Sequence, residues 1–176
     1  MTLEERIKAA VRDIPDFPKE GIVFKDITPI MKDPELSNDI LEDLYRQYKD
    51  QNIDAVAGIE SRGFLFGYSL AMRLGVPFIL IRKQGKLPYK KISHDYDLEY
   101  GSATIEMHTD AIAKGQRVLI HDDLLATGGS AAAAAQMIRK ADGTVAGFNF
   151  LISLDFLNGK SKLTEFSDNT ISFVNY

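Results

Sequence analysis

Four short apolar runs, separated by helix-length segments, set the strongest limit on what this chain can become. "DAVAGIE" (54–60), "VPFILI" (76–81), "RVLIHDD" (117–123) and "TVAGFNFLISL" (144–154) lack the alternation of a half-exposed sheet. Such runs read as strands buried on both faces. Among them lie "GFLFGYSLAMRLG" (63–75), closing on a glycine, and the alanine-rich "SAAAAAQMIRKADG" (130–143), both strong helical patterns. Strands that alternate with helices form βαβ units with parallel strands and helices on both faces. The expected fold is therefore α/β: an open, mainly parallel twisted sheet flanked by helices. "SATIEMH" (102–108) is one further strand and the tail "KLTEFSDNTISFVNY" adds one at an edge. At 176 residues the chain fits a single domain, 1–176, and 45% apolar against 26% charged residues suits a packed core.

The N-terminal part follows other rules. Thr2-Leu3-Glu4-Glu5 is a capping box, and Leu3, Ile7, Val11 and Ile14 form one helical stripe. Four prolines and a glycine in "DIPDFPKEGIVFKDITPIMKDP" then forbid a long helix. A short strand is expected over 22–28, and Asp33-Pro34 opens a helix with Ile40, Leu41, Leu44 and Tyr48 facing inward. The segment "RKQGKLPYKKISHDYDLEYG" (82–101) is polar, basic and too irregular for one element.

Composition excludes several function classes. Cysteine is absent, which removes disulfides, thiolate metal sites and cysteine nucleophiles and suits a reducing, cytoplasmic setting. The opening "MTLEERIKAAVRDI" has no apolar signal region, and no apolar run approaches membrane-spanning length. A net charge of −4 argues against binding nucleic acid through bulk electrostatics, although Arg82, Lys83, Lys86, Lys90 and Lys91 form a local basic patch. His94, His108 and His121 lack metal-ligand spacing, and His121 reads as a core histidine.

The chemistry concentrates in "VLIHDDLLATGGS" (118–130): strand, acidic pair, short turn, two glycines, helix. In open α/β sheets, ligands bind where strands end and loops enter helices. Gly128 and Gly129 let backbone amides approach an anion, the helix beginning near Ser130 adds unpaired N–H groups, and the Thr127 and Ser130 hydroxyls add donors. The lysine of a P-loop is missing, so the turn is sized for one phosphate. Asp122 and Asp123 are acceptors suited to vicinal hydroxyls, attract a cation such as Mg²⁺, and stabilise positive charge at a reacting sugar carbon. A ribose 5-phosphate satisfies both demands. The bland alternative is a capped helix after a plain turn.

Residues 118–130 resemble the 5-phosphoribosyl-1-pyrophosphate (PRPP) signature of the type I phosphoribosyltransferases. Together with "DFPKEGIVFKDITP" (16–29), "ESRGFLFG" (60–67), "IRKQGKLP" (81–88) and "DLEYG" (97–101), in that order, they are similar to the blocks of the adenine-specific family, over nearly the whole chain. The resemblance implies the type I fold with an N-terminal hood, mainly 1–33, and a flexible catalytic loop at about 82–101. It implies transfer of ribose 5-phosphate from PRPP to adenine, giving AMP and pyrophosphate. Mg²⁺ is held mainly by PRPP, with no direct protein metal site, and the assembly is a homodimer. It assigns PRPP contacts to Glu60, Ser61, Arg62, Arg82, Lys83, Lys86, Asp122, Asp123, Ala126, Thr127, Gly128, Gly129 and Ser130, with the Glu60–Ser61 peptide cis. Glu60 stands where the family often has Asp. Arg62 as a surface ion pair and the lysines as a solvated face are the plainer readings.

For the purine, the resemblance implies that backbone groups at Val23 and Lys25 read the edge, while Phe24 and Leu154 pack on opposite faces. Lys25 stands where the family commonly has Arg, and Phe24 as ordinary core is the alternative. Glu99 matches the general acid/base, so Asp122, Asp123 and Glu99 are the expected catalytic set. A 6-oxopurine transferase and a non-catalytic PRPP-sensing regulator remain alternative readings. The resemblance predicts that Glu99→Gln or Glu99→Leu cuts turnover far more than PRPP affinity. Steady-state kinetics beside PRPP binding checks this, and near-normal turnover removes Glu99 from the mechanism.

Overall fold

The computed structural model describes residues 1–98 and 101–176. They form two compact units, Met1–Leu44 and Tyr45–Tyr176.

The first unit begins with helix α1 (Leu3–Ala10). Its capping box forms as expected: the Thr2 hydroxyl accepts the Glu5 amide, and the Glu5 carboxylate accepts the Thr2 amide at 2.8 Å. The helical stripe does not reach Ile14. Val11 turns extended, and strand β1 (Arg12–Pro15) carries Ile14. Ile14 directly precedes Pro15, and a residue before proline is driven out of helical conformation. β1 pairs antiparallel with β2 (Val23–Asp26), placing Asp13 opposite Lys25 and Ile14 opposite Phe24. β2 is narrower than the expected 22–28, since Thr28 already starts the short helix α2 (Thr28–Met31), with Pro29 in its first turn. Helix α3 (Pro34–Tyr48) follows, its first turn capped by Asp33 Oδ1 on the Leu36 amide at 2.9 Å. Ile40, Leu44 and Tyr48 are buried as expected, joined by Leu36, while Leu41 is half-buried.

The second unit is the sheet. Its strands are β3 (Ala55–Ile59), β4 (Phe78–Lys83), β5 (Lys91–Asp97), β6 (Ser102–His108), β7 (Arg117–Leu125), β8 (Thr144–Ser153) and β9 (Thr170–Asn175), in spatial order β5-β6-β4-β3-β7-β8-β9. The pairs β4–β3, β3–β7, β7–β8 and β8–β9 are parallel, while β5–β6 and β6–β4 are antiparallel. The expected mainly parallel α/β sheet is present. Helix α4 (Gly63–Leu74) packs on β3 and β7, and α5 (Gly129–Lys140) packs on β5, β7 and β8. The apolar centre of the sheet is buried, with Ala57, Ile81, Ile120, Phe148 and Phe150 all 0% exposed.

The segment 82–101 departs from the irregular element expected. It holds the end of β4 and all of β5, which pairs with β6 from Lys91↔His108 to Asp97↔Ser102. Its alternation was hidden by polarity. Ile92, His94 and Tyr96 turn to the half-buried side, and Lys91, Ser93, Asp95 and Asp97 turn outward.

Gly75 closes α4 in the left-handed conformation, φ 71°, where an added Cβ would meet nothing within 4 Å. Only backbone strain opposes a side chain there. Gly75→Ala is expected to lower the unfolding free energy by about 1 kcal/mol, measured by denaturant titration, without altering ligand affinity.

Candidate active site

β7 outruns its neighbour. β3 stops at Ile59 and last pairs with β7 at Gly58↔His121, whereas β8 follows β7 to Leu125↔Ser153. β7 is therefore two residues longer than the expected strand 117–123, and the acidic pair lies within it, with one edge hydrogen-bonded and the other open. Gly63, at the start of α4, lies beside that open edge. A Cβ there would be 2.7 Å from the His121 carbonyl oxygen and 3.0 Å from Asp122 Oδ1. Only glycine permits so close an approach.

Asp123 is 3% exposed, and its Oδ2 accepts Arg62 Nε at 2.5 Å. The ion-pair reading of Arg62 thus describes its position here, with the partner being the expected sugar-binding carboxylate. Asp122 Oδ1 accepts the Asp123 amide at 2.9 Å. Burial first, and the Asp123 charge second, hold the Asp122 carboxyl well above the ordinary aspartate range. Behind them His121 is fully buried, its Nδ1 2.9 Å from Asn149 Oδ1. The amide oxygen only accepts, so Nδ1 bears the proton. Burial pushes the imidazole pKa down to about 4, and the residue is a neutral core histidine.

Beyond Leu125 the chain passes Ala126 and Thr127 into Gly128, which is left-handed at φ 79° and immediately precedes α5. The Ala132 amide bonds to the Gly128 carbonyl at 2.9 Å, so the first turn of α5 leaves its earlier amides to face a ligand. A cavity of about 130 Å³ opens there, lined by Thr127, Gly128, Gly129 and Ser130. Tyr96 and Asp97 at the end of β5 form another side of it. These two residues were not anticipated, because β5 itself was not.

The turn after β3 brings the second group of expected residues to the same end of the sheet. The Glu60–Ser61 peptide is cis. The Glu60 side chain faces away from the cradle cavity: its Oε2 accepts the Lys83 amide at 2.9 Å and Arg82 Nε at 3.1 Å. Burial raises the Glu60 pKa, but the Lys83 amide and the Arg82 guanidinium outweigh it and leave the carboxyl below the ordinary range. Arg82 also donates to the Lys86 carbonyl at 3.1 Å, so Glu60 and Arg82 fix the turn on which exposed Lys83 and Lys86 stand.

Leu154 is half-buried, and its amide bonds to the Leu125 carbonyl at 2.9 Å, level with the entrance to the cradle. In the first unit, Phe24 is half-buried and meets the Phe17 ring edge-on at 5.2 Å, so it is not a fully enclosed core residue. Val23 is 49% exposed, and Lys25 Nζ donates to Asp13 at 2.7 Å. Glu99 lies outside the described residues, as does Tyr100. Among the described residues no group of three or more His, Asp or Glu side chains could hold a metal ion.

The sequence model of the phosphoribosyl transferase domain matches residues 25–174. The adenine phosphoribosyltransferase of Cytophaga hutchinsonii is 53% identical over 174 residues, covering 99% of this chain and 96% of the relative. The crystal structure of adenine phosphoribosyltransferase from Thermoanaerobacter pseudethanolicus superposes with a TM-score of 0.94 at 48% identity, covering 99% of this chain and 100% of the other. The Saccharomyces cerevisiae enzyme, complexed with an imino-altritol bisphosphate and adenine, superposes at 0.90 with 40% identity, covering 97% and 98%.

Asp122 and His121 oppose each other in pH dependence. A raised carboxyl pKa penalises the fold at neutral pH and ceases to do so as pH falls below it, whereas a depressed histidine pKa removes stability as pH falls from its ordinary value toward 4. Asp122→Asn, which keeps an acceptor for the Asp123 amide, is expected to raise Tm at pH 7. The gain should shrink on acidification, while the His121 imidazole stays neutral by NMR down to about pH 4. A Tm gain that grows in acid contradicts this electrostatic assignment.

Proposed function

The chain belongs to the adenine phosphoribosyltransferases of the phosphoribosyl transferase family, and we propose that the turn after β7 and its two carboxyls perform that family's reaction here. The activity is a pentosyl transfer of purine salvage: adenine and PRPP give AMP and pyrophosphate. One observation carries the site assignment. A strand bearing two carboxyls runs past its neighbour and leads directly into a left-handed glycine and a helix N-terminus around a phosphate-sized cavity.

In this reading, the amides and hydroxyls of Ala126 to Ser130 hold the 5-phosphate. Asp122 and Asp123 accept hydrogen bonds from the ribose 2- and 3-hydroxyls, so Asp123 leaves Arg62 in exchange for a hydroxyl partner. The freed Arg62 guanidinium, the amides of the Glu60–Ser61 turn, and Arg82, Lys83 and Lys86 then face pyrophosphate. As the bond from C1 to the pyrophosphate oxygen breaks, positive charge grows on the sugar and the carboxylates stabilise it. Adenine N9 forms the new bond to C1, and its proton passes to Glu99. In the first unit, Val23 and Lys25 offer backbone groups to the edge of a purine and Phe24 offers a ring to its face; in the second, Leu154 offers an apolar face. Glu60 contributes through its hold on Arg82 and Lys83.

In this reading PRPP would hold Mg²⁺, which commonly binds substrate phosphates, and the carboxylates of Asp122 and Asp123 would favour the cation nearby without ligating it. When bound with PRPP, the ion neutralises charge on the leaving pyrophosphate. A homodimer is part of the proposal. Leu65, Tyr68, Met72 and Leu80, 41–64% exposed, line or border an open apolar face with Phe64 and Phe78, a surface suited to a second copy. Among the described residues no helix is long and apolar enough to cross a membrane, and the proposed location is the cytoplasm.

Adenine, hypoxanthine and guanine competing for limiting PRPP test the substrate. Adenine is expected to be consumed with kcat/KM about a hundredfold or more above either oxopurine. Preference for an oxopurine overturns the base assignment, and no pyrophosphate release with any purine points to a PRPP-sensing protein.

A further inference from the structure

The underside of the phosphate turn is not solvent but another piece of backbone. Asp155–Leu157 and Gly159–Lys162 are short 3-10 turns that follow β8. They bring Gly159, a buried residue, against the turn from behind. A Cβ built on Gly159 would lie 2.2 Å from the Ala126 carbonyl oxygen, 2.9 Å from the Gly128 nitrogen and 3.0 Å from the Thr127 carbonyl carbon. The contact is reciprocal: a Cβ on Gly128 would lie 2.6 Å from the Gly159 carbonyl oxygen. All these neighbours are main-chain atoms, so no side-chain rotation relieves the clash. Ordinary carbon–oxygen contacts begin near 3.3 Å, and one added methyl would therefore push the turn by about 1 Å.

Gly159 does not require glycine for its own conformation, since its φ is not in the left-handed region, unlike that of Gly128 at +79°. The requirement comes from the turn it supports. The supporting segment has little freedom to yield. It is tied at its start by the Leu154 amide on the Leu125 carbonyl at 2.9 Å, and by the Asn158 amide on the Asp155 carbonyl at 3.0 Å. It is anchored at its end by Leu163, fully buried in the sheet core.

We infer that Gly159 is a positioning residue for phosphate recognition: its bare backbone sets the height and direction of the Thr127–Gly128 amides from 31 residues further along the chain. This rests on the assignment of the 126–130 turn to the 5-phosphate. A donor array is worth its full strength only when held within a fraction of an ångström of the anion, so a small displacement of the turn weakens phosphate binding more than binding of the base or the sugar.

The test compares AMP with adenosine, which differ by the phosphate alone. In Gly159→Ala, AMP affinity is expected to fall about ten- to a hundredfold and KM for PRPP to rise similarly, while adenosine affinity and KM for adenine stay within about twofold. Gly147→Ala is the control. A Cβ there would meet the Asn169 carbonyl oxygen at 2.8 Å, a comparable backbone clash at residues outside the cradle cavity. It is expected to lower Tm and leave the AMP-to-adenosine ratio unchanged. If Gly159→Ala does not fold, titration of the unmodified protein with ribose 5-phosphate replaces it, read by amide NMR. The Gly159 amide is expected to shift with that of Gly128 along one binding curve.

Native-like AMP affinity in Gly159→Ala, equal losses for AMP and adenosine, or a stationary Gly159 amide each overturn the inference. If the native protein binds AMP no more tightly than adenosine, the phosphate assignment itself falls first, and the inference with it.

Discussion

A difference in strand length underlies the whole site. β3 ends at Ile59 while β7 continues with β8 to Leu125, so among the described residues Asp122 to Leu125 of β7 pair with β8 alone. Had β3 extended as far, its backbone would occupy the open edge beside Asp122 and Asp123. Instead, the sheet offers two carboxyls at a rim where the next residues turn into a helix N-terminus. Gly63 lets α4 begin beside this rim, within a near-contact distance of Asp122 that no side chain could tolerate. The Glu60–Arg62 turn thereby lies next to the acids, and a guanidinium meets a buried carboxylate across the gap.

The electrostatics of the site are those of a poised arrangement. Asp123 is buried with Arg62 as its partner, and Asp122 is held above the ordinary aspartate range by burial and by its neighbour's charge. Two adjacent carboxyls are an unfavourable choice for stability and a favourable one for a reaction that builds positive charge on a sugar carbon. Glu60 shows the opposite arrangement. Its carboxylate is below the ordinary range because the Lys83 amide and Arg82 surround it, and it serves to hold basic residues in place. One acid is kept costly at the rim of the sheet, and the other is satisfied beside it.

Much of this was legible in the sequence, for physical reasons that differ by element. β3, β7 and β8 announce themselves because strands buried on both faces must be continuously apolar, and α4 ends where Gly75 ends it; β4 reads equally apolar, yet only one of its faces is buried, with Leu80 41% exposed on the other. The acid pair and the Gly128-Gly129 turn are local features and were read as such. β5 was missed because its half-buried side is carried by Ile92, His94 and Tyr96 among charged neighbours, a pattern weaker than an apolar run. With it went Tyr96 and Asp97 as walls of the cavity. Glu60 pairing with Arg82, and Gly159 beneath Gly128, are contacts between residues 22 and 31 positions apart. No local pattern encodes such contacts. At Gly159, only packing shows what the missing side chain permits.

The central claim is spatial, and a crystal structure of the protein with AMP tests it most directly. The account predicts the phosphate on the amides of residues 127–130, the ribose hydroxyls on Asp122 and Asp123, and Arg62 withdrawn from Asp123. A phosphate seated elsewhere, or hydroxyls that do not reach either carboxylate, would contradict it.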